Sequence, residues 1–472
     1  MEIGSRCPLW FYKIDNKVSR YPLTPRTGNL ISAEEFVANR EGNMMSEAST
    51  SDDFYSQLAS LWSKIAKPQR WIFGDVEKSE YADTVWMWAK SCYLTICAWV
   101  DSQDLLYSFY VVTKCSDVYN SVAITDGSQN IYQCVGVTTS YNIFYSRYIY
   151  NSSNIRLSTN MIGCSECLFC DTLKNKSYCI HNKQYTKELY MLEKEKILKE
   201  KTMFMEYFMK LPHESENIWS TNSEWMGIIY SENIENWLFV NQVKNGRNLI
   251  VVGNGDKIEQ QYDCLTSATQ ADHGYGNMGV SPGSFMYCSM NSGHVDHIFY
   301  CVYVENCHHC IGCYGLYNKS YCIFNKQYTK EERYKQADTL FTQMEKDWNL
   351  GQFFPWLMNP FYFNDTLAYL VDDSFTKEEV TNAWYLRRNE EIKVDVPANA
   401  EVISTNELVN YQWYDSEWIR KINPEILKKV IKDEKWNYYR IVPMELEFLQ
   451  KYGLPLPEIH WLERIKLGFK FK

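Results

Sequence analysis

Between Ser79 and Cys164 the chain returns every 11 to 13 residues to a short phrase opened by Ser or Cys: Ser79, Ser91, Ser102, Cys115, Ser128, Ser140, Ser152 and Cys164. Neither an amphipathic helix nor an alternating strand keeps such a period, whereas a solenoid coil must. Other positions hold register with it. Ile131, Ile143, Ile155, Cys167 and Cys179 form one column, Cys134, Ser146, Ser158 and Cys170 a second, and Asn130, Asn142 and Asn154 a third. Apolar and thiol columns suit the inside of a parallel β-helix. Stacked Asn side chains can hydrogen-bond from rung to rung at turns that need positive φ. At about 3.3 Å per residue, such a repeat predicts a flat coil of two short strands and two turns.

The plan occurs twice. Cys164–Glu188 and Cys307–Glu331 share 17 of 25 residues at a fixed offset of 143. In each copy a polar NKSY–NKQY stretch ends the ladder, and Thr186 or Thr329 then caps a helix that closes the open coil, which would otherwise offer unpaired backbone to another strand. The first closing helix is expected to run through about Met209. The second ladder is less regular. Ser231–Ile234 starts it, Gly246–Gly255 is β-rich, and Ala271–Ser284, with its four Gly and one Pro, reads as an insertion or long turn. Periodicity returns with Ile298, Cys310 and Cys322 in one column and Cys301 and Cys313 in another.

The fold class expected is mainly β with α: two tandem parallel β-solenoid segments of about 12 residues per rung, each closed by a helix, plus small α+β N-terminal and C-terminal regions. The segments fall at 1–52, a degenerate ribbon and linker; 53–212, a helix at Phe54–Lys67 with the first solenoid and its closing helix; 213–358, the second solenoid and its helix; and 359–472, an α+β tail. In the tail Thr376 caps one helix, Asn423 a second, and Pro443–Tyr452 is a third, closed by Gly453. The ending IKLGFKFK alternates apolar and basic residues and reads as an edge strand or basic tail.

With 45% hydrophobic residues, 16 Trp and 36 Tyr, the chain can fill a core. Its net charge of −10 argues against a broad phosphate-binding surface. No apolar run approaches the roughly 20 residues that span a bilayer, and Met1–Trp10 lacks the pattern of a signal peptide, so the expected location is cytoplasmic, without a membrane partner. In that setting 16 Cys point to buried thiols or metal ligands before disulfides.

The phrases NKSYCIFNKQYTKEE, GQFFP, NPFYFNDTLA and YRIVPMELEFLQKYGLPLP, with FYSQLASLWSKI and EKSEYADTVWMWAKSCYL upstream, resemble the uncharacterised cysteine-rich zinc-ribbon proteins common in candidate-phyla-radiation bacteria. The resemblance covers nearly the whole chain and implies terminal ribbons around a central segment of N-C-x-x-C phrases, with no assigned activity. This sequence departs from that pattern where zinc would sit. Asp433 and Trp436 stand for one CxxC pair, His460 and Glu463 for another, and Cys7-Pro-Leu-Trp10 keeps one thiol of two. A structural zinc needs four N or S ligands, so these ribbons are expected to be metal-free and held by aromatic packing.

Four constellations carry chemistry. Cys164, Cys167, Cys170 and Cys179, and Cys307, Cys310, Cys313 and Cys322, have the spacing of four-thiolate zinc sites; because they continue the Ile and Ser columns, the reading preferred is a packed ladder. Asp296-His297 and His308-His309 stand one rung apart, so His297 is expected to stack near His309; together with Cys301 or Cys307 they could bind a transition metal or support a Cys–His nucleophile. The preferred reading is polar residues at a solvated turn; the first copy has Asn154 and Glu166 there. Asp101, Asp104, Asp117 and Asp126 read as turn residues unless a pair stands about 5–10 Å apart, as glycan cleavage needs. Lys174, Lys176, Lys183 and Lys187, echoed by Lys319, Lys326 and Lys330, could touch phosphate, but Lys at an exposed edge also discourages strand addition. No P-loop, H-E-x-x-H or G-x-S-x-G motif occurs. The function expected is a non-catalytic structural or interaction scaffold, self-assembling or bound to a protein partner. The alternatives are a nucleic-acid or ribosome-associated binding protein and a carbohydrate-active enzyme. No cofactor is favoured, zinc being the one the thiol spacing leaves open.

Overall fold

The computed structural model describes residues 12–14, 17–19, 24, 26–48, 52–70, 79, 81–85, 89–99, 101–200, 204–212, 243–244, 251–252, 258–259, 266–267, 271–275, 278–355, 358–366, 369, 372–389, 396–416, 419–435 and 437–469. Cys7, Ser231–Ile234, most of Gly246–Gly255 and Trp436 lie outside them. The chain forms two compact units, Ile72–His213 with Asn389–Lys472 and Met1–Trp71 with Glu214–Arg388.

In the unit that holds the regular repeat, four-residue strands such as Gln129–Tyr132, Val135–Thr138 and Tyr141–Phe144 alternate between two sheets, and each pairs in parallel with the strand one rung away. Ile131 faces Ile143, Ile143 faces Ile155, Ile155 faces Cys167 and Cys167 faces Cys179. This is the column the repeat predicts. The coil has more corners than expected, because every third residue is left-handed: Asn130, Gln133, Gly136, Thr139, Asn142, Tyr145, Tyr148 and Asn151 all have positive φ. A corner therefore falls inside each strand as well as between strands. The residue after each corner turns inward, so one rung contributes Ile131, Cys134, Val137 and Ser140 to the interior and the next contributes Ile143, Ser146, Ile149 and Ser152, all buried. Each Ile or Val so buried contributes about 1.5–3 kcal/mol.

The last rung ends by turning back: Lys183–Gln184 pairs antiparallel with Ser177–Ile180, so Asn175–Gln184 is a rung plus a hairpin. Helix Lys187–Glu200 then lies on it, its first turn capped by Thr186, whose hydroxyl accepts the Leu189 amide at 3.3 Å. Tyr190 is wholly buried edge-on to Tyr178, and Lys194 pairs with Glu166 at 2.8 Å. A separate helix, Phe204–Lys210, places Phe208 under the buried Arg147 guanidinium at 4.4 Å. From the tail, helix Pro443–Tyr452 sets Phe448 against Tyr119 and Tyr132, and Gly453 ends it in the left-handed conformation. Among the described residues of the chain ending there is no edge strand. Ile465 and Lys466 finish helix Trp461–Lys466, and Phe469 is buried against Phe109; an apolar residue that finds a core position overrides the alternation.

The other unit carries a second coil. Met278–Tyr287 and Met290–Phe299 pair in parallel with Met286 opposite Ile298, and single bridges continue the ladder from Phe299 to Ile311 and from Ile311 to Ile323. Ala271–Ser284 is not an insertion: Ala271–Tyr275 pairs with the following strand and belongs to the coil. Gly283 is there for close approach, since a Cβ would meet Met286 Sδ at 2.6 Å and Val295 Cγ2 at 2.8 Å. Helix Phe54–Lys64 covers this coil, with Phe54 against Tyr300 and Phe324 and Trp62 against Tyr314. The sequence groups that helix with the first solenoid; its apolar stripe shows that a surface must be covered but not which one. Helix Lys330–Lys346 has the complete capping box at Thr329 and packs Phe341 on Phe299. Thr376 forms the same box on Lys377–Asn382.

Candidate functional site

The cysteines come first, because the repeat explains where they are. Thirteen described cysteines are buried reduced thiols. Those of the two clusters follow a corner and face the interior: the Cys164, Cys167 and Cys170 thiols donate to the carbonyls two residues back at 3.4, 3.4 and 3.3 Å. In the second copy Cys307, Cys310 and Cys313 do the same at 3.3, 3.4 and 3.3 Å. Inward serines make the same bond, as Ser146 does to Phe144 at 2.9 Å. A four-thiolate zinc site would bring every sulfur within about 4 Å of the others. Among the described residues, no three of these thiols form a group placed to hold a metal ion. They form a chain of neighbours, with Cys167 in hydrogen-bond contact with Cys164 on one side and Cys170 on the other. Those bonds pull the Cys164 thiol down to about 6 and push Cys167 up. Burial pushes the lone interior thiols of Cys92, Cys115 and Cys134 up to about 12.

The corners carry side chains on the outside. Asn130 donates to Asn142 at 2.9 Å and Asn142 to Asn154 at 2.8 Å, each from a left-handed backbone. Asp104 and Asp117 occupy earlier corners of the same column, and Asp101 and Asp126 are also left-handed. This is the turn chemistry expected of Asp. Of the lysines, Lys319 pairs with Glu41 at 2.8 Å, while Lys183 and Lys326 lie over Tyr185 and Tyr328.

In the second copy the corresponding corner column is aromatic. Phe285 stacks on His297 at 4.4 Å, His297 lies tilted against His309 at 4.9 Å, and His309 stacks on Tyr321 at 5.1 Å. Asp296 stands beside His297 and one rung from His308. Its carboxylate accepts from Ser284 Oγ at 2.6 Å and meets His297 Nδ1 at 2.8 Å. Burial alone would raise the Asp296 carboxyl; bonds from Ser284 and His297 outweigh it and hold it below the ordinary range. Burial, then the neighbouring His297 and Arg333, lowers His309. The ladder fixes the positions, since the His309 amide donates to the Asp296 carbonyl at 2.9 Å. From the closing helix, Arg333 Nε donates to the His309 carbonyl at 3.0 Å.

Among the described residues, Asp296, His297 and His309 form a group whose ligand atoms all lie within 4.8 Å of one another. The structure thus brings together the two histidines the sequence singles out. It does not join them to Cys301 or Cys307, which are fully buried inside the coil while the histidines stand at corners on its outer face. The sequence sets Asp296 beside His297; what it misses is that Ser284 and the stacking partners Phe285 and Tyr321 belong to the same constellation, although rings recur at intervals of 12 from Phe285 to Tyr321.

At the positions where the resemblance would place zinc in the tail, Asp433 makes hydrogen bonds instead. Its carboxylate accepts the Asn437 amide at 2.8 Å, Asn437 Nδ2 at 3.1 Å and the His460 amide at 3.3 Å. Glu463 pairs with Lys435 and Lys466. No helix among the described residues is long and apolar enough to cross a membrane. No family model, curated protein or solved structure matches the chain.

Proposed function

We propose that this chain is a non-catalytic scaffold whose coils present regular rows of side chains to a protein partner or to further copies of itself. One observation carries the reading: the interior of the coil is a continuous column structure, Ile over Ile and Ser over Ser, and its corners repeat the same side chain at the same spacing on the outside. Such a stack fixes outward groups in a rigid row, a property that recognition of an extended surface uses. Leu189, Met191 and Leu192 stay exposed on the first closing helix, apolar surface of the sort that association covers.

The test is sedimentation velocity and light scattering of the full chain at rising concentration, with RNA binding and polysaccharide depolymerisation measured beside it. Concentration-dependent assembly without either activity supports the scaffold. A monodisperse monomer at every concentration removes self-assembly and leaves the protein partner. RNA binding that weakens steeply with salt, or depolymerisation of a glycan, overturns the proposal in favour of a nucleic-acid factor or a carbohydrate-active enzyme.

A further inference from the structure

We infer that Asp296, His297 and His309 form a binding site for a divalent first-row transition ion of the zinc type on the outer face of the second coil. Two imidazoles and one carboxylate are a donor set that zinc, cobalt and nickel share. Ligand atoms bound to one such ion, each at about 2.1 Å, lie about 3–3.4 Å apart. His297 Nδ1 and Asp296 Oδ2 already stand 2.8 Å apart, and the His309 nitrogen completes a group spanning no more than 4.8 Å. Small side-chain rotations close that gap.

The backbone supports the site in a way ordinary surface histidines lack. His297 and His309 are consecutive corners of one column, joined through the Asp296 carbonyl, and their rings are held from above and below by Phe285 and Tyr321. Ser284 supplies the group that orients the carboxylate from behind, the arrangement metal ligands commonly show. The half-exposed faces of His297 and Asp296 leave room for water or a partner's donor to fill the remaining positions. Only the second half of the duplication has this site, because the first has Asn154 and Glu166 at the matching corners and its Glu166 is engaged by Lys194.

The experiment titrates the reduced, full-length, untagged protein with Co²⁺ and follows its visible spectrum, then measures Zn²⁺ affinity by competition. Controls are His297→Phe and His309→Phe, which keep a ring in a column that already holds Phe285, and Asp296→Asn. The expected result is one ion per chain, with d–d bands and no thiolate charge-transfer band, and an affinity weakened by about tenfold or more in each variant. Absence of binding, or binding with a thiolate band that the three variants leave unchanged, overturns the inference and in the second case moves the metal to the cysteines. Circular dichroism of each variant confirms that the coil is intact before its affinity is compared.

Discussion

The Ser152 hydroxyl accepts the Cys164 amide at 2.9 Å while donating to the Tyr150 carbonyl at 2.8 Å, so one buried side chain joins two rungs. The same bridge runs from Ser140 to the Ser152 amide at 3.0 Å and from Ser158 to the Cys170 amide at 3.0 Å. Ser152→Ala strands the buried Cys164 N–H and should cost about 1–3 kcal/mol in urea unfolding. Ser152→Cys should cost less. Cys170 already plays that part, its sulfur accepting the Asn182 amide at 3.4 Å. Equal losses in the two variants would mean that a thiol at this position does not take over the hydroxyl's bonds.

Outside the coil, Asn142 both accepts from Asn130 and donates to Asn154. Its φ of 58° adds a second reason for Asn, because a side chain with a Cβ and no local hydrogen bond pays about 1–2 kcal/mol there. Asn142→Ala should lose stability on both counts, about 1–3 kcal/mol, and Asn142→Gly should recover the conformational part. If alanine and glycine are equally destabilising, the ladder bonds carry the whole effect and the corner strain none.

These two residues also show how far the sequence can be read. The Asn column and the Ile column announce themselves because identical side chains recur at the rung period. The corners at Tyr110, Tyr145, Leu157 and Phe169 do not, since bulky residues avoid positive φ and nothing in their identity signals it. Ladder hydrogen bonds and packing hold them there, a tertiary effect. The two histidines are visible by the same rung spacing, but the sequence places cysteines beside them because proximity along the chain does not reveal which side of the wall a residue faces. Ala271–Ser284 misleads for a related reason: glycine marks both loops and close backbone approach, and Gly283 serves the second.

Glu445 and Arg464 form an ion pair with almost no exposure, 2.9 Å long, with Tyr132 donating to the same carboxylate at 3.1 Å. Arg464→Met leaves a buried carboxylate without its cation and should cost about 3–5 kcal/mol. The double variant Glu445→Leu with Arg464→Met removes both charges and should regain most of that loss. Thermal unfolding of the two variants with wild type decides it. A double variant no better than the single would show that the pair holds the helices through hydrogen bonds to Tyr132 and not through charge balance.

His460 gives the tail a pH dependence with a definite sign. Its Nδ1 accepts the Leu462 amide at 3.2 Å as the N-cap of helix Trp461–Lys466, which requires the neutral ring. Burial, then the neighbouring Arg464, lowers its pKa to about 4, against the opposing pull of Asp433 and Glu463. In the unfolded chain the imidazole titrates near its ordinary value of about 6.5. Between those values the unfolded state binds more protons, so this contribution is complete above about pH 6.5 and is lost as pH falls toward 4, by at most about 3 kcal/mol. His460→Asn keeps an N-cap acceptor and has no proton to gain. Its unfolding free energy should therefore decline less than wild type between pH 6.5 and 4.5, the gap between the two curves opening steadily toward acid. Parallel curves would mean that the folded protein takes up the proton at His460 as readily as the unfolded chain does.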